Sequence, residues 1–154
     1  MSGGTYVDTG ILVKGYIKEA DFLDAIAILE AAGTPLLFSH IHELETQNAI
    51  RLKRFRGEIN KEEEVAAIRD VRADLDTGRL VRPEYDLAKV FNRAERLSAR
   101  FSGEIGTRSL DLLHVAAALE AGCTVFASFD ERQRKGASLA GLKVLPVKLP
   151  RKRP

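Results

Sequence analysis

Cysteine is nearly absent. Cys123 is the single thiol in 154 residues, so no internal disulfide is available, and the chain fits a reducing, cytoplasmic compartment. Cys123 falls in an apolar helix-to-strand turn and is expected to be a small buried thiol. Long hydrophobic runs are missing too. None approaches the roughly 18–20 residues a membrane helix needs, which excludes a helical span. No secretory h-region follows Met1, and Ser2-Gly3-Gly4 reads as a flexible lead-in. A zinc site lacks its ligands: His40 and His42 stand two apart with no Cys or His partners at suitable spacing. Charge of one sign is also lacking in bulk, since 24 Lys and Arg against 22 Asp and Glu leave only +2. Basic character is local instead. It lies in Arg51, Lys53, Arg54 and Arg56, and in Lys148, Arg151, Lys152 and Arg153. Each run is either a solvated face or an attraction to a phosphate backbone.

What remains is an ordinary globular composition, 45% hydrophobic and 30% charged, enough for one compact core. A single domain over residues 1–148 is expected, followed by a basic tail at 149–154. Short apolar runs at Thr5–Val7, 36–39, 80–82, 124–129 and 143–147 predict strands. Helical periods at 21–32, 40–56, Lys61–Asp76, 85–101, 110–121 and Glu131–Leu139 separate them. Gly33, Gly57 and Gly122 close three of these helices. Asn60 with Glu63 three residues on is a capping box, and Ser109 is expected to cap the 110–121 helix. Strands alternating with helices predict an α/β fold with a mainly parallel sheet. The hairpin over 40–76 is expected to stand out as a lobe.

Parallel sheets bind ligands at the carboxyl ends of their strands. Asp8 follows the first strand and Asp130 follows the 124–129 run. Either aspartate also suits a turn or a helix N-cap. In the 40–56 helix the apolar stripe runs Ile41, Leu44, Ala49, Leu52, Phe55, and extending it places Glu45 and Asn48 on the inward face. An inward carboxylate is expensive unless a cation or an arginine meets it. Asp111 opens a helix that is apolar almost all round. There it gains from the helix dipole and remains available to a metal. His114 shares its face and is expected to be a satisfied core residue. Carboxylates gathered together repel unless a multivalent cation offsets them, and hard oxygen ligands favour Mg²⁺ or Mn²⁺.

Four segments carry a resemblance. They are Tyr6-Val7-Asp8-Thr9, Glu45-Thr46-Gln47-Asn48-Ala49-Ile50, the run from Thr107 through Asp111 and His114 to Ala118, and Phe126-Ala127-Ser128-Phe129-Asp130-Glu131-Arg132-Gln133. In order and spacing the chain resembles PIN-domain proteins, and among them the VapC-like toxins of toxin–antitoxin pairs. The resemblance implies a three-layer α/β/α fold and a divalent-metal endoribonuclease. It implies Asp8, Glu45, Asp111 and Asp130 as the acidic quartet, with Thr9 as the hydroxyl residue beside the first aspartate. It further implies a homodimer and an antitoxin whose chain end covers the active site. Arg51, Arg54 and Arg108 are candidates for the RNA backbone, each equally at home as a solvated or paired arginine. Gly10 departs from the family's frequent serine. Glu43 is an alternative to Glu45, although the stripe and the trailing Asn48-Ala49-Ile50 favour Glu45.

Rival chemistries fit less well. A receiver-type phosphoacceptor needs an acidic pair after the first strand and an aspartate after a middle one, and 36–39 ends without an acid. A phosphohydrolase with a nucleophilic aspartate wants a second aspartate two residues on, where Gly10 stands. The non-enzymatic alternative is an RNA- or partner-binding module on a PIN-like fold.

Overall fold

The computed structural model describes residues 3–151. Lys152 and Arg153 of the expected tail, and Met1 and Ser2 of the expected lead-in, lie outside them. In chain order the elements are β1 (Thr5–Val7), α1 (Thr9–Leu12), a 3-10 turn (Val13–Gly15), α2 (Phe22–Ala32), β2 (Leu36–Leu37), α3 (His40–Phe55) and α4 (Lys61–Asp76). They continue with β3 (Leu80–Val81), α5 (Leu87–Leu97), a π turn (Ser98–Ser102), α6 (Gly103–Ile105), α7 (Ser109–Glu120), β4 (Val125–Ala127), α8 (Glu131–Leu139) and β5 (Lys143–Leu145). No helix among the described residues is long and apolar enough to cross a membrane.

The caps explain the helix bounds. Asn60 accepts from the Glu63 N–H at 2.9 Å, while Glu63 accepts from the Asn60 N–H at 2.7 Å. This is the expected capping box, which contributes about 1 kcal/mol. Gly33 ends α2 at φ 73°, a conformation that costs only glycine nothing. Two expectations need correction. The helix expected over 85–101 starts later, because the Asp86 side chain accepts from the Ala88 N–H at 2.9 Å and sets the cap there. It also widens into the π turn after Leu97, which a 3.6-residue period cannot register. Ser109 is not a cap: it is the first residue of α7, and Arg108, with extended backbone, precedes it.

Contacts divide the chain into two compact units. The first joins residues 3–8 to Pro83–Arg151. Its sheet has the order β1-β4-β5, parallel throughout, with Thr5 opposite Val125 and Val125 opposite Lys143. Tyr6 and Phe126 are fully buried and stack at 5.4 Å between ring centroids. Helix α7 packs on α5 and α8. The run Ala116, Ala117, Ala118 is wholly buried, and its small side chains suit close helix packing. Gly3 and Gly4 are not loose: the Gly3 N–H donates to the Gly122 carbonyl at 2.9 Å and Gly4 accepts from Thr124 at 3.1 Å. Cys123 is buried as expected, and burial raises its thiol pKa.

The second unit is Thr9–Arg82. Its strands β2 and β3 pair in parallel, Leu36 opposite Leu80. Val13, Ile50 and Ala67 form a core against which Tyr16, Ala49 and Ile68 pack. A cavity of about 450 Å³ is walled by Leu12, Ile26, Leu29, Leu36 and Leu80, with Tyr16, Asp74 and Arg79. Three of its polar groups engage one another: Tyr16 donates to Asp74 at 2.7 Å, and Arg79 lies 3.6 Å from the same carboxylate.

The stripe expected on α3 is the wrong face. Leu44, Leu52 and Phe55 are 69%, 39% and 86% exposed, whereas His42, Thr46 and Ile50 are buried. The inward polar residues mislead the periodicity. His42 is a capping group, its ring nitrogen Nδ1 accepting from the Ser39 N–H at 3.1 Å while Ser39 accepts from its N–H at 3.2 Å. Asn48 is exposed and Glu45 half-buried.

Candidate active site

The first unit carries three of the four acids and sets two of them, Asp111 and Asp130, on one cation. Asp8 follows β1, whose pairing with β4 continues through a bond from the Asp8 N–H to the Ala127 carbonyl at 2.9 Å. Asp111 sits in the first turn of α7 and is 8% exposed. Asp130 caps α8, its Oδ1 accepting from the Gln133 N–H at 2.9 Å. The cap leaves Oδ2 available, and Arg108 reaches it at 3.4 Å. The same guanidinium donates through Nε to Asp111 Oδ2 at 2.9 Å. The Asp111 bond, backed by Asp130 and Asp8 at longer range, raises the Arg108 pKa further above its already high value. Arg108 therefore stands where opposite charge is most needed, among carboxylates that would otherwise repel.

Behind these acids lies His114, 1% exposed, with Tyr6 Oη 2.8 Å from its Nδ1 and Asp8 Oδ1 4.0 Å from its Nε2. It is a core histidine with a hydrogen-bond partner, as its apolar helix predicts, yet its second nitrogen faces an acid. The sequence reading had no signal for this contact, since Tyr6 lies 108 positions away.

The remaining candidates lie in the second unit. Thr9 is buried and donates through its hydroxyl to Glu45 Oε1 at 3.0 Å. Glu43 is engaged differently, in an ion pair with Arg82, which also donates to the Phe38 carbonyl at 3.1 Å. Arg51 donates to Gln47 at 3.2 Å. Arg54 pairs with the buried Glu64 at 2.9 Å, and that bond is the main reason the Glu64 pKa is lowered. Arg51 and Arg54 thus have intramolecular partners, although both remain exposed.

The donor chemistry suits a hard divalent cation: carboxylate oxygens, no thiol, and a guanidinium already drawn in as counter-charge. The donors are not closed into a cage. Among the described residues no three His, Cys, Asp or Glu side chains are assembled as they stand to hold a metal ion.

Comparison with solved structures finds a similar chain in the crystal structure of FitAcB from Neisseria gonorrhoeae. The TM-score is 0.60 and the identity 14%, over 91% of this chain and 95% of that one. No curated protein matches the sequence significantly. The fold is therefore the α/β/α class that the resemblance implied. Residues 5–139 match the family model described as PIN domain, so the chain belongs to the PIN-domain family.

Proposed function

We propose that this protein is a divalent-metal-dependent endoribonuclease, hydrolysing RNA phosphodiesters as the VapC-like toxin of a toxin–antitoxin pair. PIN domains are generally nucleases and typically use divalent metal ions. The observation that carries the reading here is the meeting of Asp111 and Asp130 on a single guanidinium, with Asp8 set against His114 of the helix that Asp111 opens. Asp8 and Asp111 are the principal ligands in this proposal, with Asp130 and Glu45 as further ligands. Glu45 is preferred to Glu43 because Glu43 is engaged with Arg82, while Glu45 accepts from Thr9, the residue next to Asp8 in the chain.

Bound there, Mg²⁺ or Mn²⁺ supplies an activated water at neutral pH and positive charge against the phosphate's developing negative charge. The protein's own part is positional. The Gln133 N–H engages one oxygen of Asp130, so the other is the more open to a cation. Buried His114 backs Asp8 and limits where its carboxylate can point. Arg108, and more remotely Arg51 and Arg54, are the candidates for the RNA backbone. A cognate antitoxin and a second copy of the chain are the proposed protein partners. The exposed face of α3, with Leu44, Leu52 and Phe55, is apolar surface of the kind protein partners cover. A cytoplasmic location goes with this reading.

The test is incubation with total RNA in Mn²⁺ and in EDTA, followed by mapping of new ends. Discrete cleavage in Mn²⁺ that EDTA abolishes is expected. RNA retained but uncut under both conditions would instead identify a binding module.

A further inference from the structure

Arg108 contacts two acids with one guanidinium: Nε lies 2.9 Å from Asp111 Oδ2 and Nη2 3.4 Å from Asp130 Oδ2. The two carboxylates differ in setting. The Asp111 side chain is 11% exposed, whereas Arg108, just before α7, is 63% exposed. Both contacted oxygens are Oδ2. Asp130 Oδ1 is engaged by the Gln133 N–H, so its Oδ2 is the more open oxygen for a cation. A guanidinium and a divalent ion held on the same two oxygens would repel one another at close range, so each weakens the other's hold.

We propose that Arg108 is a built-in counterion that a divalent metal displaces from Asp111 and Asp130. The inference rests on the metal-ligand reading of those two acids. It has two consequences. Before metal arrives, Arg108 offsets the repulsion among Asp8, Asp111 and Asp130 and keeps the pocket folded. When metal arrives, the arginine is released beside the site, where its planar fork suits a phosphate. Metal entry and readiness for the RNA backbone become one event.

The experiment is Mn²⁺ titration of the full chain, read by the signal of the free ion, for the parent, Arg108→Gln and Arg108→Lys at fixed ionic strength. Arg108→Gln is expected to bind Mn²⁺ about two- to tenfold more tightly, the range that one or two largely exposed ion pairs supply. Arg108→Lys keeps the charge but loses the fork, and is expected to fall between. In the parent, the Arg108 Nε–H resonance should shift on addition of Mg²⁺. Equal affinities in all three proteins overturn the displacement while leaving the metal site standing. Parent-like binding by the lysine variant with tighter binding by the glutamine variant also overturns it, because charge alone then suffices. Mn²⁺ binding by none of the three removes the metal reading and this inference together. Should Arg108→Gln fail to fold, the lysine variant and the Nε–H resonance decide: an Nε–H unmoved at saturating Mg²⁺ counts against displacement.

Discussion

Tyr6 and His114 meet inside the first unit, hydroxyl to Nδ1 at 2.8 Å, with their rings edge to face at 5.8 Å. The bond ties β1, which Asp8 follows, to α7, which carries Asp111. Tyr6→Phe keeps the stacking on Phe126 and removes the hydrogen bond. A loss of about 1 kcal/mol is expected, visible as a lower urea midpoint. The proposed cleavage activity should fall as well, since His114 also faces Asp8. Unchanged cleavage with reduced stability would assign the bond to the core alone.

Asp8→Asn is expected to abolish cleavage of RNA in Mg²⁺ while leaving the fold intact or slightly more stable. Arg108 pairs with Asp111 and Asp130 and feels the Asp8 charge only at longer range, so neutralising Asp8 relieves repulsion in the metal-free protein. Cleavage gels and thermal melts measure the two halves separately. Parent-level cutting by this variant would remove Asp8 from the mechanism.

Thr46 is fully buried on the inner face of α3, and its hydroxyl is the buried side-chain oxygen without a hydrogen-bond partner among the described residues. Valine has nearly the same shape and no polar atom to desolvate. Thr46→Val should therefore stabilise by about 1 kcal/mol, since an unsatisfied buried hydroxyl costs at least that much. Chemical denaturation reads the change directly, and a destabilised variant would mean that the hydroxyl has a partner, such as a water.

Tyr16 should impose an alkaline limit on stability. Burial above all, and then its bond to Asp74, push its pKa well above the ordinary tyrosine value. The folded protein thus holds the phenolic proton more tightly than the unfolded chain does. The resulting stability is complete below about pH 10, the unfolded value, and is lost as pH rises beyond it. Thermal melts of parent and Tyr16→Phe between pH 8 and 11 should show a steeper alkaline fall in the parent. Parallel curves would refute the coupling.

Much of the fold could be read from local chemistry. The capping box at Asn60 and Glu63, the closing glycines and the parallel strands all follow from contacts a few residues long or from strand–helix alternation. The acids at strand ends and helix starts were legible for the same reason. The inner face of α3 was not, because its polar residues are satisfied by groups such as the Ser39 cap while leucines and a phenylalanine face outward. The partition into units was hidden as well, since one unit joins residues 3–8 to Pro83–Arg151.

Residue types and their spacing were enough to name the candidate ligands, because a carboxylate in an apolar frame is costly wherever it falls. They could not say what would answer that cost. Sequence alone leaves Arg108 either a candidate for the RNA backbone or a solvated or paired arginine, and folding decides by setting Asp111 and Asp130 within reach of its guanidinium. His114 looked like plain core until Tyr6 and Asp8 closed on its two nitrogens. Pairings across 22 or 108 positions depend on how strands and helices pack, and no local pattern encodes them.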